Sequence, residues 1–371
     1  QAPQGQNVTY ITGCTNITSP GYYVLPSNIS GMQATGYCIE VFASDVVLNG
    51  DGYWLTGLGL VGIYVAPGST NVTIKDIVIG WYNTAIVVHS SNVRVIDSTM
   101  IYNDGGVNII GNNDSVVSST MNNDGFFGVN ITGNNDSVIN SLVTGNYYFG
   151  VYISGANNSI VNSTITYNSG FGVYISGANN SIVNSFVGHS LGSSGRGVYI
   201  SGANNSIVNS TVSYDNNFGI NITGAHNSIV NSTVSHNWVN GIYLYNDSGT
   251  LITGDIIMGN GQYGLYMQGS RGDLIYNNLF NNTVNVYIVS GYASWNVSLR
   301  PGKNIVGGDM IGGNAWLTPN GTGFSQVTPA LPNDPYICDE PYVINGNNTD
   351  YLPLKYPLSS ASMTSTTSTT T

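Results

Sequence analysis

The phrase GVYISGANNSIVNS occurs three times, beginning at Gly150, Gly172 and Gly197, and GINITGAHNSIVNS follows from Gly219. Aligned on a Gly-apolar-X-apolar motif, units begin at Gly62, Ala85, Gly106, Gly128, Gly150, Gly172, Gly197, Gly219, Gly241, Gly264 and Asn285, at spacings of 21 to 25 residues. A repeat of that length cannot bury its own apolar face and must stack on its neighbours, which means a solenoid. Within GVYISGANNSIVNSTITYNSGF the runs VYI, SIV and TIT are short and rich in β-branched residues, and Gly, Asn and Ser separate them as turns. No helical period is present and leucine is scarce, which sets aside the leucine-rich repeat. The expected fold is all-β, a right-handed parallel β-helix of 22-residue coils. Irregular coils are expected over 1–61, regular repeats over 62–300, a C-terminal cap over 301–358 and a Ser/Thr-rich tail over 359–371.

Alternation assigns the side chains. Val151, Ile153, Ile160 and Ile165 should point inward in aliphatic stacks. Asn158, Asn180 and Asn205 recur at one turn, where amides bond along the stack and tolerate an unusual corner backbone. The three extra residues in GHSLGSSGR (188 to 196) should bulge outward. Tyr152, Tyr174 and Tyr199 take the outward middle position of VYI, and Tyr243, Tyr266 and Tyr287 resume the file after Asn221. Such a file suits sugar stacking or a subunit interface, and equally the stabilisation of an exposed sheet.

Charge narrows the partners. Seven Lys and Arg against eighteen Asp and Glu give a net charge of −11, which argues against nucleic acid and anionic membranes. The start QAPQGQNVTY without Met suggests a removed export signal, and no apolar stretch is long enough to span a membrane. Nineteen Asn-X-Ser/Thr triplets occur. The glycan acceptors expected are Asn7, Asn16, Asn28, Asn71, Asn246, Asn281, Asn296, Asn320 and Asn347, the flanking ones being better candidates than those inside the repeated phrase, such as Asn162, Asn209 and Asn231. Cys14 and Cys38 flank a Gly/Pro-punctuated segment and are expected to form a disulfide in an oxidising compartment, leaving Cys338 as a buried hydrophobe. The tail SSASMTSTTSTTT reads as an O-glycosylated stalk or as a strand for exchange between subunits.

Several segments resemble one family: secreted archaeal β-helix surface proteins of the NosD-like, carbohydrate-binding-and-sugar-hydrolase repeat class. ITGCTNITSPGYYVL and YCIEVFASDVVLNGDGYWLTG look like its opening coils, and GGNAWLTPNGTGFSQ with DEPYVINGNNTDYLPL looks like its closing cap. The resemblance implies an acidic loop before PY, of which this chain keeps Asp334 and Asp339 while Ala330, Leu331 and Pro335 replace other acidic positions. Val327 stands where relatives often carry a further cysteine.

Catalysis needs clustered groups. Glycoside hydrolysis uses paired carboxylates, and the Asn-Thr-Asp, Asp-Asp, Gly-His-Gly and Arg-Ile-Lys signatures of pectin-hydrolysing β-helices are absent. The acidic candidates are Asp114 and Asp136, on adjacent coils, with Asp104 and Asp124 at nearby turns. They are expected on a solvated corner, with Arg94 nearby and a Ca²⁺ site as the weaker alternative. His89, His189, His226 and His236 look scattered, which argues against copper. The sequence reading is therefore a non-enzymatic, glycosylated, extracellular cell-surface protein without a cofactor, assembling with copies of itself or with surface-layer components into a filament or coat. The alternative is a polysaccharide-binding or polysaccharide-cleaving β-helix.

Overall fold

The computed structural model describes residues 7–357. Each regular coil is a triangle of three short strands, as in Phe149–Ile153, Ser159–Val161 and Thr164–Thr166. Equivalent strands pair in parallel from coil to coil in strict register, so Val151 meets Val173 and Ile160 meets Ile182. One parallel sheet of 25 strands covers two sides of the triangle and a second of 13 strands covers the third. The first two sides merge where Tyr263–Tyr276 runs straight round a corner.

The core is a set of aliphatic columns, mostly Val and Ile. Val151, Ile153, Ile160 and Ile165 are fully buried, as are their counterparts Val173, Ile175, Ile182 and Val187. β-branched side chains suit this stacking because one χ1 rotamer repeats up the column without clash.

The coils that start from Gly106 to Gly219 turn three times by one device, a left-handed residue followed by a buried polar one. In one coil the left-handed residues are Asn157, Asn162 and Tyr167, with φ of 60°, 49° and 56°. The residues that follow, Asn158, Ser163 and Asn168, point inward and are buried. The sequence had placed the unusual backbone at Asn158, Asn180 and Asn205. It lies one residue earlier, at Asn157, Asn179 and Asn204, because the exposed Asn turns the chain and thereby aims the next side chain into the coil.

The inward residues form three ladders. At the first corner the backbone N–H of Asp114 donates to Asp136 Oδ1, that of Asp136 to Asn158 Oδ1, and so on through Asn180, Asn205 and Asn227, at 2.7 to 2.8 Å. Serines from Ser98 to Ser232 form the second ladder, which continues through Asp255, Asn278 and Asn314 to Asp350. Asn103, Asp124, Asn146 and Asn168 begin the third. These bonds satisfy backbone donors that a tight buried corner leaves without partners.

Both ends are integrated into the stack. Cys14 and Cys38 form a disulfide, and Tyr37–Val41 pairs with Val61–Val65 in the main sheet. At the other end Ala315–Leu317 pairs with Leu279–Asn281, and Trp316 stacks on Phe280 at 4.8 Å. The closing segment thus supplies both a strand and the last two rungs of a ladder. The loop after Gly188 projects as expected, with Leu191, Gly192, Ser193 and Ser194 exposed.

Candidate functional site

The most developed surface feature lies on the strands of the FGVYI type. Two outward positions of each strand build two parallel files. Phe127, Phe149, Phe171 and Arg196 succeed one another in register in the first, Phe218 follows at the same step of the next repeat, and Asn240 pairs with Tyr263 beyond it. The second runs Asn130, Tyr152, Tyr174, Tyr199, Asn221, Tyr243, Tyr266 and Tyr287. Ring centroids are 5.2 Å apart for Tyr152 and Tyr174, 4.8 Å for Tyr174 and Tyr199, and 5.6 Å for Phe149 and Phe171. Further along, Tyr243 and Tyr266 lie 5.0 Å apart and Tyr266 and Tyr287 5.7 Å. These spacings follow from the strand separation of roughly 4.8 Å. The rings are half-buried against each other, apart from the more exposed Tyr287.

A second aromatic line follows the third corner, where the left-handed position carries Trp81, Tyr102, Tyr167, His189, Tyr214 and His236. Trp54 and Trp81 stack at 5.7 Å, and Trp81 and Tyr102 at 6.3 Å. After an interruption at Asn123 and Gly145, Tyr167, His189, Tyr214 and His236 follow at 4.8, 5.1 and 5.1 Å. The sequence reading had scattered these histidines, whereas His189 and His236 share one corner. The available signal was the spacing of Tyr167, His189, Tyr214 and His236, 22, 25 and 22 residues, which matches that of the repeat itself and lies outside the phrase used for alignment. Bulky residues are strained at positive φ by about 1 kcal/mol each, an amount that ring stacking offsets.

The acidic candidates are placed differently from expectation. Asp114 and Asp136 are 2% and 1% exposed, inside the first ladder, and Asp124 is inside the third at 1%. They are rungs, not a solvated corner. Asp104 alone of the four is exposed. The reason is size and shape: Asp and Asn are nearly isosteric, so either presents Oδ1 to the N–H of the coil below. The difference falls on the other atom. In the Asn rungs Nδ2 donates to a backbone carbonyl, Asn158 to Gly133, Asn180 to Gly155 and Asn205 to Gly177, at 3.0 to 3.1 Å. In Asp114, Asp124, Asp136, Asp215 and Asp255 the corresponding Oδ2 is buried without a partner. As a carboxylate that oxygen has no proton to offer; as a carboxylic acid it does. Burial accordingly pushes Asp114, Asp124 and Asp136 up to about 7, against the opposing effect of their backbone hydrogen bonds. At Asp114 the charge of Asp136 adds a smaller push.

The remaining candidates fall in separate places. Asp334 accepts from the Tyr336 N–H and closes its own turn, while Asp339 is exposed. Asn7, Asn16, Asn28, Asn71, Asn246, Asn320 and Asn347 are exposed, and Asn281 and Asn296 are half-buried. Cys338 is buried and its thiol is pushed up to about 12.

The family model described as periplasmic copper-binding protein (NosD) matches residues 44–195 and 188–321, most of the chain. The chain belongs to the NosD family. Its NosD fold is similar to the A-module of the Azotobacter vinelandii mannuronan C-5 epimerase AlgE6, at 15% identity over 78% of this chain and 90% of that one, with a TM-score of 0.65. It is similar also to a mutant of the periplasmic alginate epimerase AlgG, at 13% identity over 78% and 79% of the two chains, with a TM-score of 0.56. A third similarity is to a tailspike protein of E. coli bacteriophage HK620 in complex with a pentasaccharide, at 14% identity over 74% and 58%, with a TM-score of 0.52. At these identities the likeness establishes the fold alone. No curated protein sequence matches the chain.

The copper in the NosD description does not fit the donors present. Among the described residues no three His, Cys, Asp or Glu side chains converge, and the Tyr214 ring separates His189 from His236. Among those residues, too, no helix is long and apolar enough to cross a membrane.

Proposed function

We propose that this protein binds an extended polysaccharide along its aromatic sheet face, outside the cell membrane. The observation that carries this reading is the double file of half-exposed rings from Phe127 to Tyr287. A polymer lying along the stack would meet at least one ring in every coil. Aromatic rings with a few polar groups between them are the usual lining of a ligand surface, and many weak contacts on one chain add through effective concentration. The relatives in fold include proteins described as epimerases of mannuronan and alginate and one held with a pentasaccharide, and the family description is periplasmic.

Binding is favoured over cleavage by geometry. Three of the four carboxylates weighed for hydrolysis, Asp114, Asp124 and Asp136, face the interior and cannot reach a polymer on the outer face. The comparisons also support this reading better than the filament or coat subunit expected from the sequence. The tail 359–371, on which strand exchange depended, lies outside the described residues.

The test is affinity electrophoresis and calorimetry of the intact protein against a panel of neutral and acidic polysaccharides. Binding of at least one polymer, weakened about tenfold by Phe171→Ala with Tyr174→Ala, supports the proposal. No binding across the panel, or binding indifferent to that double substitution, overturns it.

A further inference from the structure

The aromatic face changes character at one point. In the first file the fourth position is Arg196 instead of a ring, and in the second file, one coil further on, the position between Tyr199 and Tyr243 is Asn221. Arg196 is the single cation in either file. Its guanidinium carbon lies 5.5 Å from the Phe171 centroid, 5.5 Å from Tyr199 and 5.6 Å from Phe218. Three rings thus fix a group that otherwise wanders.

This guanidinium has no anion. Among the described residues the ion pairs are Lys75 with Asp76 and Lys303 with Asp309. Arg196 Nε is buried without a hydrogen-bond partner. Asn221 is 4% exposed, and its Oδ1 has no partner either. Buried polar atoms are nearly always satisfied, so the unpartnered Nε of a guanidinium that also lacks an anion points to a partner absent from the isolated chain. The surroundings are also unusual. The coil from Gly172 to Gly197 is the longest of the repeat at 25 residues, and its projecting loop delivers Arg196 to the strand, where the Arg196 N–H donates to the Gly170 carbonyl. Around the adjacent corner, Gly192, Ser193, Asn216 and Trp238 line a hollow of about 400 Å³, with the Trp238 indole 77% exposed.

We infer that Arg196, held among Phe171, Tyr199 and Phe218, forms a subsite for an acidic sugar unit, a carboxylate or a sulfate ester, within the polysaccharide face. The planar fork of Arg pairs with a two-oxygen anion. The rings around the fork lower the local dielectric, which strengthens the pairing. The net charge of −11 does not forbid an acidic polymer here, because several of the counted carboxyls, Asp114, Asp124 and Asp136 among them, are buried in the ladders and not displayed on the face. The inference rests on the polysaccharide reading and adds the charge of the ligand.

The experiment compares polygalacturonate, dextran sulfate and uncharged dextran on wild-type protein, Arg196→Gln, Arg196→Lys and Phe171→Ala, with thermal melts to confirm folding. The expected result is that R196Q weakens an acidic polymer about tenfold while dextran changes less than twofold, and that R196K keeps most of the preference. A preference for polygalacturonate assigns a carboxylate and one for dextran sulfate a sulfate ester; both support the subsite. If R196Q unfolds, the wild-type salt series decides, since a guanidinium contact weakens with added salt and ring stacking does not. Equal losses on acidic and neutral polymers, or none on the acidic ones, overturn the subsite. Binding of dextran alone, sensitive to F171A, overturns it while leaving the polysaccharide face standing, whereas no binding at all removes both.

Discussion

The coils that start at Gly106 and Gly128 and those that start at Gly150, Gly172 and Gly197 share backbone, register and apolar column, yet differ inside and out. The early pair carries Asp114 and Asp136 in the first ladder and Asn108 and Asn130 on the outward file, the two amides joined at 2.9 Å. The later three carry Asn158, Asn180 and Asn205 inside and Tyr152, Tyr174 and Tyr199 outside. The ladder position demands a shape and one acceptor oxygen, so Asp substitutes for Asn at a cost in protonation. The outward position demands only strand compatibility, so its chemistry is free to serve a ligand. One repeat therefore holds a constrained and an unconstrained site six residues apart.

Acidity should separate the two regions most strongly. The Asp114, Asp124 and Asp136 carboxyls sit at about 7 in the fold against 3.8 as an ordinary value. Their folded pKa is raised, so the native state holds protons that the unfolded chain releases. Their contribution is fully present below about pH 4 and is lost as pH climbs through 7. At about 1.4 kcal/mol per pH unit, each could contribute up to about 4 kcal/mol. Melting temperature should therefore rise as pH falls from 8 to 4.5, contrary to ordinary acid denaturation; a flat or falling profile breaks the comparison.

The ladder itself comes next. Asn180→Ala leaves the Asn158 N–H and the Gly155 carbonyl unpaired in the interior and should cost about 3 kcal/mol in denaturant unfolding. A cost no larger than that of a surface substitution would show that water replaces the rung.

Asp136→Asn is the sharpest single exchange. It should restore the donor to the Gly111 carbonyl and stabilise the protein by about 2 kcal/mol at pH 8. At pH 4 it should be nearly neutral, because the protonated acid already fills that role. Equal effects at both pH values would refute the carboxylic-acid rung.

The smallest effect belongs to the outward file. Asn130→Tyr extends the ring file by one coil and should change stability by less than about 0.5 kcal/mol, while tightening polymer binding a few-fold. Unchanged affinity would place the end of the binding face nearer the Arg196 stretch.

Legible in the sequence alone were the coil, its three strands, the inward Val and Ile, the bulge at 188 to 196 and the tyrosine file. These are local matters of alternation, β-branching and turn residues, repeated until the period is unmistakable. It also placed Asn158, Asn180 and Asn205 on one ladder, but misplaced the left-handed residue, because in an Asn-Asn pair composition does not say which Asn turns the chain and which points inward. Only the tertiary structure decided that Asp114, Asp124 and Asp136 are interior. An aspartate in a polar repeat reads as solvated, and its burial depends on what the next coil presents to both of its oxygens. Likewise Phe171 and Arg196 lie 25 residues apart in sequence and meet because one coil rises on the next by the width of a hydrogen-bonded strand. Chemistry that acts between coils is set by stacking distance, which no single repeat encodes.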